Sequence, residues 1–342
     1  SAWATNFDGT DDATLVLHAG DWDEQQLAQR VGSALIEAGI RDDDPASPDM
    51  LAVPASLAGT IAPALVERCT AVFSRTAPPA PFDSLRRVDE HEVSQLRDLL
   101  PARRLDRTPD ALSRVSPELR EFVSECPNER LTILEFLLQV ADELEPGLRV
   151  LDVGAGEQPY RELFAHVEYR TTDWANSVHP GARRVDYVAP ADDLPIPDES
   201  FDAVLSTQVL EHVAEPSDVL RELHRVLRPG GRVYVTLPLA WELHEEPFDF
   251  YRYTRYGISH LLRAAGFIEI DARPRNDCFT TIAQLMRNAF WAMGRAPDGL
   301  DHERDQAGHT MLQLAEVVQG FSRLDTRWSL PLGYAVRARR PD

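Results

Sequence analysis

The stretch RVLDVGAGEQPY, Arg149 to Tyr160, decides how the chain is read. Three apolar residues, Val150, Leu151 and Val153, bracket an acid, Asp152, and run into Gly154-Ala155-Gly156. The pattern predicts a buried strand, a tight glycine turn and a following helix, the geometry that brings main chain against a nucleotide-like ligand. The residues just after the turn narrow the ligand. A pyrophosphate wants a third glycine and free N–H groups at a helix start; here Glu157, Gln158 and Pro159 stand instead. Glutamate adds a negative charge and proline removes an N–H, although proline suits the first turn of a helix. The loop therefore fits a ligand with a nucleoside and no phosphate.

Further along, TTDW (Thr171 to Trp174), DDLPIPDESFDAVLSTQVLEHV (Asp192 to Val213) and LRPGGRVYVTLP (Leu227 to Pro238) occur in order. With DVGAG they resemble the signature of class I S-adenosylmethionine (SAM)-dependent methyltransferases of the type 11-like kind, over roughly residues 127–342. The resemblance implies an α/β fold, a Rossmann-like doubly wound and mostly parallel sheet, with SAM as cofactor. It also implies roles. Asp152 helps hold the methionine end, and Gly154, Ala155 and Gly156 let main chain approach the cofactor, where a side chain would intrude. Asp173, 21 residues after Asp152, is placed to accept from ribose hydroxyls, and an ionised acceptor makes the stronger bond. Trp174 either packs on adenine or sits in the core. Many relatives contact adenine through an acid four residues before the Leu-Pro pair. That position is Pro190 here, so Asp192 or Asp193 is the substitute, with Leu194 closing over the ring. Gln208 lies on the rim where such sheets bind ligands.

Methyl transfer to a hydroxyl needs alignment, exclusion of water and a base. His212 is the first candidate, since an ordinary imidazole titrates near working pH; its alternative is a structural histidine at a helix start. A second constellation is WELHEEPFDFYRYTRYG, Trp241 to Gly257. It sets His244, Glu245, Glu246 and Asp249 among Phe248, Phe250, Tyr251, Tyr253 and Tyr256, a mixture suited to stacking on a sugar ring while carboxylates take its hydroxyls. The segment resembles the HxxPxDFYRYT stretch of bacterial methyltransferases associated with polysaccharide and glycoconjugate biosynthesis. His212, His244 and Asp249 are thus the catalytic candidates. The alternative is that the aromatics are core and Arg252 pairs with Asp249 to pin the loop. No metal site is expected, because beside His244 and Asp249 no third ligand is evident.

Composition sets outer bounds. The chain has 342 residues, room for about two domains, with 43% hydrophobic and 27% charged residues. No apolar run reaches the roughly 20 residues that span a bilayer, and no secretory signal is visible. Cys69, Cys126 and Cys278 are scattered, which points to reduced thiols and a cytoplasmic setting. The chain starts at Ser1 without a methionine, as a trimmed start or a cloning remnant would. Asp and Glu number 56 against 35 basic residues, every one an arginine, for a net charge of −21. So acidic a surface repels a phosphate backbone, and nucleic acid is not an expected partner.

Residues 1–75 read as a small α/β accessory domain: a strand at Ala13 to His18, a helix at Asp23 to Ala38, a strand at Met50 to Val53, a helix at Ile61 to Cys69 and a strand at Ala71 to Ser74. The alternation suggests part of a parallel sheet, faintly like half of a glycosyltransferase, or a structural and assembly domain. Residues 76–126 read as a proline-rich linker and helical connector, and residues 127–342 as the methyltransferase domain. The expected function is O-methylation of a small-molecule or glycan hydroxyl. The alternatives are a small secondary metabolite or quinol-like acceptor, and a non-catalytic SAM-binding scaffold. A homodimer or a glycosyltransferase partner is the expected company.

Overall fold

The computed structural model describes residues 14–18, 49–53, 71–73, 86–88, 105–108, 110–180, 184–293, 300–325 and 327–342. The chain divides into two compact units, Ser1–Arg103 and Arg104–Asp342. In the first, β1 (Thr14–His18) pairs in parallel with β2 (Asp49–Val53), and β3 (Ala71–Phe73) with β4 (Arg86–Val88). The helices expected at Asp23 to Ala38 and Ile61 to Cys69, and the proline-rich linker, lie outside the described residues. So does most of the expected helical run before residue 105.

The second unit is built on a seven-stranded sheet. Its strands in chain order are β5 (Arg149–Val153), β6 (Glu168–Asp173), β7 (Tyr187–Val188), β8 (Phe201–Thr207), β9 (Leu227–Pro238), β10 (Ile268–Pro274) and β11 (Gly333–Arg339). Their spatial order is β10-β11-β9-β8-β5-β6-β7. All the pairs are parallel except those of β11, which runs antiparallel between β9 and β10. This is the doubly wound α/β sheet the sequence implied. The order reverses between β5 and β8, and ligands bind such sheets at the carboxyl ends beside that switch.

Each face is covered by helices whose apolar residues recur at helical spacing. On one face lie α1 (Pro117–Glu125) and α2 (Pro127–Glu143), with Leu134, Phe136, Leu137 and Val140 packed on Val150, Ala203 and Tyr234. Leu105, Ala111, Val115, Leu119 and Val123 join the same core, so these residues pack as one body with α2 and the sheet. On the other face, α3 (Pro216–Val226) turns Val219, Leu220, Leu223 and Val226 inward, beside Ile258 and Leu262 of α4 (Arg255–Ala264). Proline stands in the first turn of α1, α2 and α3, where its missing N–H costs nothing. Ser116 and Thr254 cap α1 and α4 through their side-chain oxygens. After β10, α5 (Cys278–Met293) and α6 (Asp301–Gln319) precede β11. Buried Arg275, just past β10, donates to Glu129 Oε1 at 2.7 Å and ties that edge to α2.

One expectation fails where it mattered most. No α-helix succeeds the glycine turn; after a turn the chain makes only a 3-10 helix, Arg161–Phe164. Gln158 takes a left-handed φ of 56°, which no right-handed helix can continue through, and Pro159 then withholds an N–H.

Candidate active site

The glycine turn is held shut by the end of β6. The N–H groups of Gly154 and Ala155 both donate to Thr172 O, at 2.9 and 3.0 Å. Gly156 N–H donates to Asp173 Oδ2 at 2.7 Å. These three N–H groups are therefore spent inside the protein, and the turn offers no ready nest for a phosphate. Asp173 Oδ1 accepts from the N–H of Trp174, also at 2.7 Å. Burial raises the Asp173 pKa, with the two N–H donors opposing it. Ser177 adds a side-chain hydrogen bond to the same carboxylate, which with about four acceptor sites keeps room for an outside donor.

Asp152 is only 7% exposed. Its Oδ2 accepts from the Tyr169 hydroxyl, and its Oδ1 is buried with no partner. Burial carries its pKa up to about 6, with Tyr169 pulling down and nearby Asp173 pushing up. Thr172 Oγ1 and Ser206 Oγ are also buried without partners at the carboxyl ends of β6 and β8. Unpaired buried polar atoms are uncommon and call for an explanation. Here they border the switch point, where a polar ligand would satisfy them.

The two glycines serve different neighbours. A Cβ on Gly154, at φ 77°, would collide with Val209 Cγ2, so the β8 loop packs directly on the glycine turn. A Cβ on Gly156, at φ 51°, would meet only the His179 ring at 3.5 Å. Position 154 thus takes glycine for its left-handed φ and for the close approach of Val209 alike.

Other expected cofactor residues separate. Trp174 is half-buried and meets Phe248 edge-on, ring centroids 5.1 Å apart. Ala189 N–H donates to Asp173 O, so the turn after it starts beside the glycine loop. Asp192 and Asp193 are exposed on that turn. Leu194 is instead buried in the core with α3, its N–H on Glu222 Oε1 at 2.8 Å. That placement spends Leu194 on core packing, where it was expected to close over a ring. Gln208, at φ 55°, turns its amide between Thr236 Oγ1 (3.1 Å) and Glu211 Oε1 (3.2 Å), with the amide nitrogen toward the carboxylate. It braces the β8 loop.

The acceptor side is assembled over long sequence distances. Residues 210–212 form a 3-10 turn after β8. The segment from 248 to 253 is laced to it: Phe250 and Tyr251 donate N–H to Glu211 O, the Tyr253 hydroxyl donates to Leu210 O, and the Tyr251 hydroxyl to Ala214 O. His212 Nδ1 lies 2.8 Å from Phe248 O. A carbonyl only accepts, so Nδ1 carries the proton and Nε2 keeps a bare lone pair. Burial lowers the His212 pKa, which keeps the ring neutral and able to take a proton. The His244 ring packs edge-on against it, 4.7 Å between centroids.

Asp249 makes the pairing that the alternative reading gave it, with Arg252. Its carboxylate takes both Arg252 terminal nitrogens, at 2.6 and 2.8 Å, and the His244 N–H at 2.9 Å. Arg252 above all drives its pKa down to about 2. So held, Asp249 is ionised near neutral pH, and it fixes the main chain at His244. The aromatic residues divide too. Tyr253 is core, whereas Phe248, Phe250, Tyr251 and Tyr256 are exposed.

Two residues escaped sequence reading. Glu211 is completely buried, with Oε2 unpartnered, and burial pushes its pKa up to about 8. His179 faces Glu245 at 3.3 Å, and that pairing raises its pKa. Glu211 stood beside His212 in the LEHV block, a usable signal; nothing near His179 in sequence marks it. Gln158, Gln208 and Glu245 all adopt left-handed φ values, an uncommon conformation that tends to gather at functional sites.

The family described as "Methyltransferase domain" matches residues 151–235. A "Probable S-adenosylmethionine-dependent methyltransferase" of Mycolicibacterium smegmatis is 34% identical over 134 residues, 35% of this chain and 52% of that protein. The demethylmenaquinone methyltransferase of Renibacterium salmoninarum is 33% identical over 153 residues, 42% of this chain and 60% of that protein. The match thus spans between half and two thirds of these relatives' own lengths. Among solved structures, phosphoethanolamine N-methyltransferase 2 of Haemonchus contortus, in complex with SAM, is 16% identical at a TM-score of 0.38, covering 67% of this chain and 60% of that one. Residues 151–235, which run from β5 into β9 of the Rossmann-like sheet, are therefore similar to a methyltransferase domain. Among the described residues no helix is long and apolar enough to cross a membrane.

Proposed function

We propose that the chain is a SAM-dependent methyltransferase that O-methylates a hydroxyl of a sugar or glycoconjugate. The observation that carries this reading is His212, a neutral imidazole whose Nδ1–H is locked on Phe248 O and whose Nε2 is left free to take a proton. It stands between the glycine turn and a segment of exposed aromatics and carboxylates.

SAM supplies an electrophilic methyl group on a sulfonium. Asp152, with a spare buried oxygen, suits its cationic amino group, and Asp173 suits the ribose hydroxyls. Trp174 and Phe248 form a wall that excludes water from the reacting atoms. His212 Nε2 takes the proton of the acceptor hydroxyl, while His244, set by Asp249, flanks it. The exposed Phe250, Tyr251 and Tyr256 offer faces for a sugar ring, and Glu245 offers an acceptor for its hydroxyls.

A quinol-like acceptor is the second reading, favoured by the likeness to the demethylmenaquinone methyltransferase. Methyl-labelled SAM, supplied with nucleotide sugars, polysaccharide fragments, a demethylated quinol and host extract, separates the two. Label in a sugar methyl ether is the expected result. Label confined to the quinol would replace the first reading with the second. Bound SAM with no transfer to any acceptor would leave a scaffold subunit, docked through residues 1–75 to a glycosyltransferase or to a second copy.

A further inference from the structure

Around the proposed base, His212, the fold gathers two further side chains of the metal-ligating kind. Glu211, His212 and His244 each place a ligand-type atom within 4.8 Å of the others. The sequence suggests only His244 with Asp249 and no third ligand. The fold replaces that pair with a different trio, bringing His244 from the loop after β9 onto the turn after β8.

We propose that Glu211, His212 and His244 bind one divalent first-row transition cation. Two nitrogens and one carboxylate, with positions left open, is a common ligand set for such ions. Several independent features support it. Glu211 is fully buried and its Oε2 has no partner, a costly state that a cation would relieve. His212 is already oriented by Phe248 O on Nδ1, leaving Nε2 4.0 Å from Glu211 Oε1. His244 has the Glu242 carbonyl at 3.2 Å and Asp249 Oδ2 at 3.3 Å from its Nδ1. Such outer partners are what fix a ligating imidazole.

Charge agrees with a dication. Glu245 and Asp249 flank the two rings, and Glu211 would give up its proton on binding; Arg252, already paired with Asp249, and Arg275 are guanidiniums whose charge reaches Glu211. Glu245 lies 3.9 Å from His212 Nε2 and shares itself with His179, so it stands ready as a further ligand. On a tetrahedral zinc-sized ion two ligand atoms lie about 3.4 Å apart. The trio, spread over up to 4.8 Å, must therefore draw together by somewhat over an ångström at its widest, within reach of side-chain rotation. An ion on His212 Nε2 takes the lone pair that accepts the proton in the metal-free protein; in the loaded protein the ion would do that work instead, by lowering the pKa of a bound acceptor hydroxyl. That role rests on the proposed O-methylation, but binding itself does not.

The test needs no acceptor. Full-length, chelator-stripped protein without any affinity tag is titrated with Zn2+ by calorimetry and with Co2+ by visible spectroscopy. One equivalent is expected at micromolar or tighter affinity, with a cobalt spectrum free of thiolate charge-transfer bands. His244→Ala, which touches a partly exposed side chain, should keep the fold by circular dichroism and weaken binding at least tenfold. Glu211→Gln should do the same, while Cys126→Ser and Cys278→Ser should not. No stoichiometric binding by the wild-type chain, or affinity untouched in a folded His244→Ala protein, overturns the site. Methyl transfer could fail for every acceptor and leave this result standing.

Discussion

The two sides of the crevice are built by opposite means. On the glycine-turn side, the main-chain N–H groups of Gly154, Ala155 and Gly156 tie the loop to the end of β6. Asp152 there keeps a buried oxygen unpaired. On the acceptor side, side chains hold one another: Arg252 holds Asp249, Asp249 holds His244, and His244 packs on His212. The first is a rigid cradle that one short stretch of chain can specify. The second is a network in which each group's protonation depends on the next. A cofactor shared by many enzymes suits the first design, and an acceptor particular to one suits the second.

The largest effect should fall on turnover. His212→Asn keeps a polar side chain but removes the base, and turnover should drop by about 10² to 10⁴, while SAM affinity by calorimetry stays within twofold. A variant that turns over normally would place the base elsewhere. Asp173→Ala tests the other side. It removes an acceptor for ribose hydroxyls, and bonds to a charged group contribute roughly 1.5–3 kcal/mol each, so SAM affinity should fall about a hundredfold. The same variant releases Gly156 N–H, so its melting temperature should be recorded beside the affinity. Unchanged affinity would remove Asp173 from the cofactor site.

The difference in design also explains what the sequence disclosed. Strand β5 follows from its apolar run, the doubly wound sheet from the order of the four motifs, and Asp152, Gly154, Gly156 and Asp173 from one motif and one spacing. Their neighbours in space are mostly their neighbours along the chain or across one strand pair. His212 and His244 were each visible as residue types, but their contact spans two loops and depends on how residues 248–253 hydrogen-bond to residues 210–214. Asp249 read either as a catalytic candidate or as the partner of Arg252, and spacing alone cannot choose between the two. The missing helix after the glycine turn has a local cause, the left-handed Gln158, that residue preferences do not forecast.

Asp152 offers a pH test of the rigid side. Burial raises its pKa in the fold to about 6, so the protonated form favours folding. That contribution is whole below the usual aspartate pKa of about 4 and is lost as pH rises through about 6. Affinity for a cationic amino group runs the other way, because only the ionised carboxyl attracts it. SAM should bind roughly tenfold more tightly at pH 7 than at pH 5, following the ionised fraction of a group with this pKa. Asp152→Asn should flatten that trend when calorimetry is repeated across the range. A slope that survives in the variant would assign the effect to another group, Asp173 first, since burial raises its pKa as well.

The smallest effect concerns whether the two sides are separate at all. They touch through Trp174 of the cradle and Phe248 of the network, perpendicular rings 5.1 Å apart. Phe248 also gives its carbonyl to His212, so this contact links the cofactor wall to the ring that takes the proton. Edge-to-face pairs contribute about 0.5–1.5 kcal/mol beyond their buried area. A double-mutant cycle of Trp174→Leu and Phe248→Leu in chemical unfolding should return a coupling in that range. Main-chain hydrogen bonding of Phe248 survives its substitution, so the cycle isolates the rings. Repeating it with SAM bound asks whether filling the cradle strengthens the contact, as expected if cofactor binding orders the acceptor side. A coupling indistinguishable from zero in both states would mean that the cradle and the network act independently.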